Sequence, residues 1–380
     1  MIFVATTPYA VNSFLRPHLL GLAKNYDVTL FVNTSAYPLT PDIIQAVRVE
    51  HLNIARKIRP IRDILIFHQL FKRFRDIRPS VVHSITPKAG ILTMLAAWLG
   101  GVPRRFHTFT GQVWATKTGF TRFLLKRADW FITLFATQIF ADSASQVCFL
   151  EDEGVVRQGS VVVFGQGSIS GVDLSRFHPD IDVRSALRSE LGVSDHKLVF
   201  LFVGRLVQDK GVFDLIAAFD LINVRHPNWE LWMVGPDEAD LQPKLQSRGD
   251  NIGARIQWLG PTFNPERYMS AADIFVLPSY REGFGSVLIE AAACGIPSIA
   301  YRIDGVIDAI VDGQTGILVD KADVHALSDA MIRLGENQNM RKVLAEAAHQ
   351  RAHDHFSSAI LVSAWKRFYS DALNDNHCNQ

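Results

Sequence analysis

Residues 281–300 read REGFGSVLIEAAACGIPSIA, with two glycines around Phe284 and with Glu282 and Glu290 on either side. Ahead of them, DIFVLPS (273–279) is an apolar strand closed by Pro278. YREGFG (280–285) then reads as a loop, and SVLIEAAAC (286–294) as a helix with Ser286 as N-cap and Gly295 as its stop. Gly283 and Gly285 permit positive φ and close backbone approach. The amides of 284–287 then face whatever lies beyond the strand's end, backed by the helix dipole, and form a phosphate cradle. Glu290, about one turn into the helix, can accept hydrogen bonds from sugar hydroxyls. Glu282, just before the cradle, can face the rest of the ligand. One carboxylate for each hydroxyl-rich end of a phosphate-bridged molecule describes a nucleotide sugar. Taken alone, the same residues also fit a helix-start charge and a solvated face.

A second stretch separates these readings. LFVGRLVQDKGVFDLIAAF (201–219) is a strand, then Gly204 and Arg205, then Lys210-Gly211 opening a helix. Two cations at a strand's carboxyl end suit a diphosphate, Arg as a fork and Lys as a point charge.

Similar strand-and-helix units run along the whole chain. MIFVAT (1–6), VTLFV (28–32), SVVHSI (80–85), RRFHTF (104–109) and QIFADS (138–143) read as strands, with helical patterns over 13–25, 61–77, 88–99 and 117–136. A second series begins at LVFLFVG (198–204) and ends at GILVD (316–320). Strands apolar on both faces and alternating with helices imply parallel sheets covered on both sides. The fold class is therefore α/β, with two doubly wound Rossmann-like domains facing each other across a cleft. The expected domains are 1–175 and 176–356, with a C-terminal helix at about 357–380 packing back on the first. The Gly/Ser-rich stretch 165–182 supplies the link.

The net charge of +1 conceals a split. The first 180 residues hold 20 Lys and Arg against 12 Asp and Glu; the rest hold 19 against 26. The first half should face something anionic, phosphate or a membrane surface, or else attract the second half. Three unpaired cysteines argue for a reducing compartment. MIFVATTPYAV has no basic leader, and no apolar run reaches the ~18 residues of a spanning helix. The expectation is a cytoplasmic protein that touches membrane without crossing it.

The stretches GRLVQDKG, MSAADIFVLPS, EGFGSVLIEAAACGIPSIA and GQTGILV, spread over 198–320, together resemble the GT4 family of retaining glycosyltransferases, which have the two-domain GT-B fold. GVDLSRFHP (171–179) resembles the family's crossover, and HSITPKAGILTMLAAWLGGVPRRFHTFTGQVW resembles members that build lipid-linked surface polysaccharides. The resemblance implies that Gly204, Arg205 and Lys210 hold the donor diphosphate, with Arg205 and Lys210 stabilising the leaving group. It implies that Glu290 binds the ribose, and that Glu282 with the backbone of Gly283, Phe284, Gly285 and Ser286 holds the donor sugar. His107 matches a family histidine that reaches toward that sugar across the cleft. The family loop after the first strand carries a glycine pair, whereas TTPYAVNS (6–13) has none. Thr7, Lys88 and Gln112 follow first-domain strands and are acceptor-side candidates.

The resemblance further implies front-face attack with retention, and UDP as the donor nucleotide with GDP as the alternative. Fixed cations make a metal unnecessary, and the Asp-x-Asp of DID (180–182) falls in the linker, so neither cofactor nor metal is expected. DEAD (237–240) spells a helicase motif without its phosphate loop, and no nucleic-acid partner is expected. Residues 56–78 hold eight Lys and Arg among regularly spaced apolar residues, and 117–131 offers a second basic-aromatic surface. Either suits an anionic membrane surface, or an ordinary core-facing helix. Membrane contact makes a polyprenyl-diphosphate-linked saccharide the expected acceptor, on the cytoplasmic face of the inner membrane. A soluble acceptor, a nucleotide-sugar epimerase and an inactive nucleotide-sugar-binding subunit are the alternatives.

Overall fold

Runs such as IFVA, TLFV and VVHSI are buried along their whole length, which only a sheet covered on both faces allows. The computed structural model describes the chain apart from residues 36, 56–58, 224, 247–254 and 375–380. It divides into two units, one formed by Met1–Ser170 with the helix Ser358–Asn374, the other by Gly171–Ser357. These limits lie within a few residues of the expected ones.

Among its described residues the first unit has seven parallel strands: β1 Ile2–Ala5, β2 Thr29–Val32, β3 Arg48–His51, β4 Val81–Ile85, β5 Arg104–Phe109, β6 Gln138–Ala141 and β7 Val161–Val162. Their order is β3-β2-β1-β4-β5-β6-β7, and all pairings are parallel. The order reverses between β1 and β4, the switch point at which such sheets bind ligands. β3 and β7 are the strands missed in the sequence; both are sheet edges, and β3, RVEH, is charged rather than apolar.

Helices α1 (Pro60–Ile77), α2 (Pro87–Leu99) and α3 (Gly119–Phe135) pack side by side, α2 in the middle. α1 turns Ile66, Leu70 and Phe74 into the core and leaves Ile61, Ile64 and Leu65 exposed. Residues 56–58 of the basic stretch lie outside the described residues. The expected loop 6–13 is largely helical. Thr7 caps it by accepting from the Ala10 amide, Pro8 takes the first position, and a π-helical turn follows at Val11–Leu15. Thr-Pro is a helix-start signature that outweighs the absence of glycine.

The C-terminal helix Ser358–Asn374 completes this unit's core. Trp365 and Tyr369 are buried with Phe3, Phe106 and Phe140. The Ile169 carbonyl accepts from His18 Nε2 (2.6 Å) and Trp365 Nε1 (3.3 Å), and His83 bonds both Tyr369 and Thr108.

The second unit has β8 Leu198–Val203, β9 Trp229–Val234, β10 Ile256–Gly260, β11 Ile274–Leu277, β12 Ser298–Tyr301 and β13 Gly316–Val319. They form a parallel sheet in the order β10-β9-β8-β11-β12-β13, with its reversal between β8 and β11. Helix α4 (Ser286–Ala293) follows β11. The DID aspartate Asp180 is a helix cap, accepting from the Val183 amide at 2.9 Å.

Candidate active site

β8 and β11 are adjacent, so the two loops singled out in the sequence leave neighbouring strand ends at the switch point. They are fastened together. The Tyr280 amide donates to the Asp209 carbonyl (2.9 Å), and Lys210 Nζ donates to Glu282 Oε1 (2.5 Å). Arg281 adds a longer contact to Asp209 (3.4 Å). Gly211 has φ +67°, and a Cβ there would lie 1.7 Å from the Pro278 carbonyl oxygen. Only glycine lets these backbones approach so closely.

Asp214 steadies this junction. It accepts from the hydroxyls of Tyr280 (2.6 Å) and Tyr301 (2.8 Å). Burial, then the Asp214 charge, pushes the Tyr280 phenol up to about 12 and raises that of Tyr301 as well, so both stay protonated donors. Sequence reasoning missed this trio. Asp214 lies one turn beyond Lys210, but nothing local points to Tyr301 at the end of β12.

α4 starts differently from the expectation. Gly285, at φ +79°, is its N-cap, and Ser286 is already the first helical residue. Gly285 is left-handed and Gly283 is not. Phe284 turns its ring inward against Phe356, 5.2 Å between centroids, leaving only its backbone available to a ligand. Among the described residues, the Ser286 and Val287 amides have no protein acceptor, as expected for a helix's first turn.

Arg205 follows Gly204, whose amide still donates to Val234 (2.9 Å). Arg205 reaches Glu238 at 3.0 Å, so an acid of the DEAD tetrapeptide belongs to this site. Both cations expected to hold phosphate thus have carboxylate partners.

Glu290, half-buried in α4, has no hydrogen-bond partner for its carboxylate among the described residues. Burial pushes its pKa up to about 7; Arg176 works against this, and Glu266 adds to it. Arg176 itself pairs with Glu266 at 2.8 Å. A half-buried carboxylate without a partner is an acceptor awaiting donors.

In the first unit the sequence-derived candidates fare differently. His107 lies inside β5, two residues short of its end, opposite Ser84. It is 0% exposed, packed so tightly under α2 that a Cβ on Gly90 would lie 2.6 Å from its Cε1. Nδ1 bonds Ser84 Oγ at 2.8 Å, while Nε2 has no partner. Burial pushes its pKa down to about 3, so the ring is neutral. His107 thus sits in the core rather than at the strand's end, where it was expected, and Thr110-Gly111 follows the strand end. Thr7 caps the 8–10 helix, Lys88 pairs with Asp63 of α1 at 2.7 Å, and buried Gln112 accepts from Gln146 at 3.2 Å. At the switch point Thr6 and Thr86 share a 2.6 Å hydroxyl bond, with Thr86 at φ +83°. A β-branched residue there is strained.

Two family profiles fit the chain: "Glycosyl transferase 4-like domain" over residues 19–167 and "Glycosyl transferases group 1" over 183–351. The chain belongs to the GT4-type glycosyltransferases of GT-B fold. The capsular polysaccharide biosynthesis glycosyltransferase CapM of Staphylococcus aureus is 29% identical over 85% of this chain and 86% of its own. The Escherichia coli UDP-Gal:alpha-D-GlcNAc-diphosphoundecaprenol alpha-1,3-galactosyltransferase is 26% identical over 92% of this chain and 90% of its own. Among solved structures, Anabaena HepE in complex with UDP and glucose superposes with a TM-score of 0.81 at 19% identity. That match covers 97% of this chain and 99% of HepE. In this glycosyltransferase Arg205, Lys210, Glu282 and the start of α4 follow the two strands of the second unit's switch point, whereas His107 lies in the core of the first unit.

Proposed function

We propose that this glycosyltransferase moves a sugar, with retention, from a UDP-sugar to a polyprenyl-diphosphate-linked saccharide in surface polysaccharide assembly, on the cytoplasmic face of a membrane. The observation that carries the reading is the junction of loops 204–211 and 278–286 at the N-terminus of α4, with Lys210 bridging to Glu282. The relatives named for capsular polysaccharide and for a diphosphoundecaprenol acceptor support the acceptor class.

Arg205 and Lys210, with the amides at the start of α4, receive the donor diphosphate. Glu290 accepts from the ribose hydroxyls, and Glu282 with the 283–286 backbone holds the transferred sugar. Lys210 is preset by Glu282, so an entering diphosphate exchanges one anionic partner for another. As the anomeric C–O bond breaks, its electron pair passes to the diphosphate, and these groups neutralise the charge as it develops. The acceptor hydroxyl attacks from the same face and its proton passes to the departing phosphate oxygen. The fixed cations do the electrostatic work a metal does elsewhere, so no metal is required. Thr7, Lys88 and Gln112 remain the acceptor-side residues.

The test is transfer by the purified protein from a panel of UDP- and GDP-sugars to an undecaprenyl-diphosphate-linked sugar, with the anomeric configuration read by NMR. Retained configuration with a UDP-sugar supports the reading. An inverted product refutes the mechanism, and absence of transfer from every donor to lipid-linked or soluble sugars refutes the activity.

A further inference from the structure

α5 (Gln338–Phe356) packs on α4 and buries Leu344, Ala348, Ala352 and Phe356. His349 and His353 each follow a buried residue of this set by one position. They therefore stand one turn apart on the stripe at the edge of the buried face, His349 half-buried and His353 exposed. Their rings are 4.5 Å apart between centroids and inclined at 51°. Arg351, between them in sequence, is drawn off to the Asp308 carbonyl at 3.0 Å.

Both rings have a lone pair to offer. His349 Nδ1 lies 2.9 Å from the Ala293 carbonyl oxygen at the end of α4. A carbonyl only accepts, so Nδ1 carries the proton and Nε2 keeps its lone pair. A backbone carbonyl that fixes one ring nitrogen in this way is the usual support of a ligating histidine. His353 touches the His349 ring and, among the described residues, makes no hydrogen bond, so its nitrogens are both available.

We propose that His349 and His353 together bind a late first-row divalent ion, of the class Zn²⁺, Ni²⁺ or Cu²⁺. The spacing fits this ion. An imidazole nitrogen sits about 2.0–2.1 Å from it and the ring centre about 1.1 Å further, so two rings held at about 90° have centroids about 4.5 Å apart. Imidazole pairs suit these ions, whereas Mg²⁺ and Ca²⁺ take oxygen ligands. No group of three His, Cys, Asp or Glu side chains among the described residues could hold a metal, so water completes the shell and the site is open.

The bound ion acts on stability. It withdraws electron density from the His349 ring, strengthens Nδ1–H as a donor to Ala293 and tightens the seam between α5 and α4. The proposed phosphate cradle lies at the other end of α4, about 12 Å away for a helix of eight residues. The inference is therefore independent of the proposed function, in which no metal takes part.

The test is titration calorimetry of the tag-free, full-length protein, stripped with chelator and dialysed, using Ni²⁺ with Mg²⁺ as control. The expected result is a Ni²⁺ site weakened about tenfold or more in His353→Ala, with no Mg²⁺ site of similar affinity. Saturating Ni²⁺ should raise the melting temperature of the parent by mass action, and this rise should be lost in the variant. His353 is exposed, so in chelator the variant should melt with the parent. Electron paramagnetic resonance of the parent with one equivalent of Cu²⁺ should show two nitrogen ligands. Unchanged Ni²⁺ affinity in His353→Ala, or equal affinity for Mg²⁺, overturns the inference. Fewer than two nitrogen ligands on Cu²⁺ in the parent overturns it without recourse to a variant. Loss of sugar transfer in chelator would fail the metal-free mechanism and not this site.

Discussion

The unpartnered carboxyl of Glu290 makes donor affinity a function of pH. With a pKa of about 7, half of the molecules carry it ionised at neutral pH. If the ribose hydroxyls are bound by the carboxylate, only that fraction is competent. The fraction rises from about one-eleventh at pH 6 to about ten-elevenths at pH 8, so the Kd for donor should fall roughly tenfold, about 1.4 kcal/mol, over that interval. The sign is that of a carboxyl raised by burial, whose protonated form favours the folded, empty protein. Its stabilising contribution is present below the ordinary carboxyl range and is lost as pH rises through 7. The assay is calorimetric titration with an intact UDP-sugar, whose esterified diphosphate does not itself titrate between pH 6 and 8. Glu290→Gln should bind weakly and with a flat pH profile. A wild-type Kd that does not change between pH 6 and pH 8 would refute the reasoning.

Lys210→Ala removes the leaving-group cation and leaves Glu282 unpaired; kcat should fall by about 10²–10³, and a loss below fivefold would remove Lys210 from the mechanism. Gly211→Ala places a methyl against the Pro278 carbonyl, so the second unit should lose about 3 kcal/mol or fail to fold, as read by urea melts. Three buried histidines in the first unit, His18 near 4, His107 near 3 and His83 held well below its usual value by burial, are neutral when folded. Their stabilising contribution is present above pH 6.5 and is lost as pH falls, by roughly 2 kcal/mol each for His18 and His107 between pH 7 and pH 5, with His83 acting in the same direction. Asp129, raised to about 7 by burial, opposes this by about 2 kcal/mol, leaving a net acid destabilisation of the first unit that amide exchange within that unit at the two pH values measures directly. Transfer in excess chelator should match that in buffer alone; complete loss restored by added metal would overturn the metal-free mechanism.

Much of the fold was legible because parallel strands announce themselves. RRFHTF was bounded to the residue, and the ten others recognised as strands differ only at their ends. What escaped was polar or distant. RVEH is an edge strand whose partner lies on one side only, so it lacks the apolar run that marks interior strands. The junction of Arg205, Lys210 and Glu282 could be read because they lie in two short loops at strand ends, with Glu290 in the helix that follows. His107 was misplaced for a reason available in the sequence: its strand continues through Phe109, and period-two alternation already puts residues 107 and 109 on the same covered face. The carboxylate partners of Arg205 and Lys210 were not legible, since a pairing between residues 33 or 72 positions apart depends on strand order.

The return of Ser358–Asn374 to the first sheet bears on how such a chain can be rearranged. The chain passes between the units at 170–171 and again at 357–358, so residues 171–357 form an insertion within the first unit. A fragment ending at 170 would leave Phe3, Phe106 and Phe140 without Trp365 and Tyr369. Grafting a relative's donor-binding half onto this chain therefore requires two junctions and an intact native tail; a simple end-to-end fusion would separate the first sheet from part of its own core.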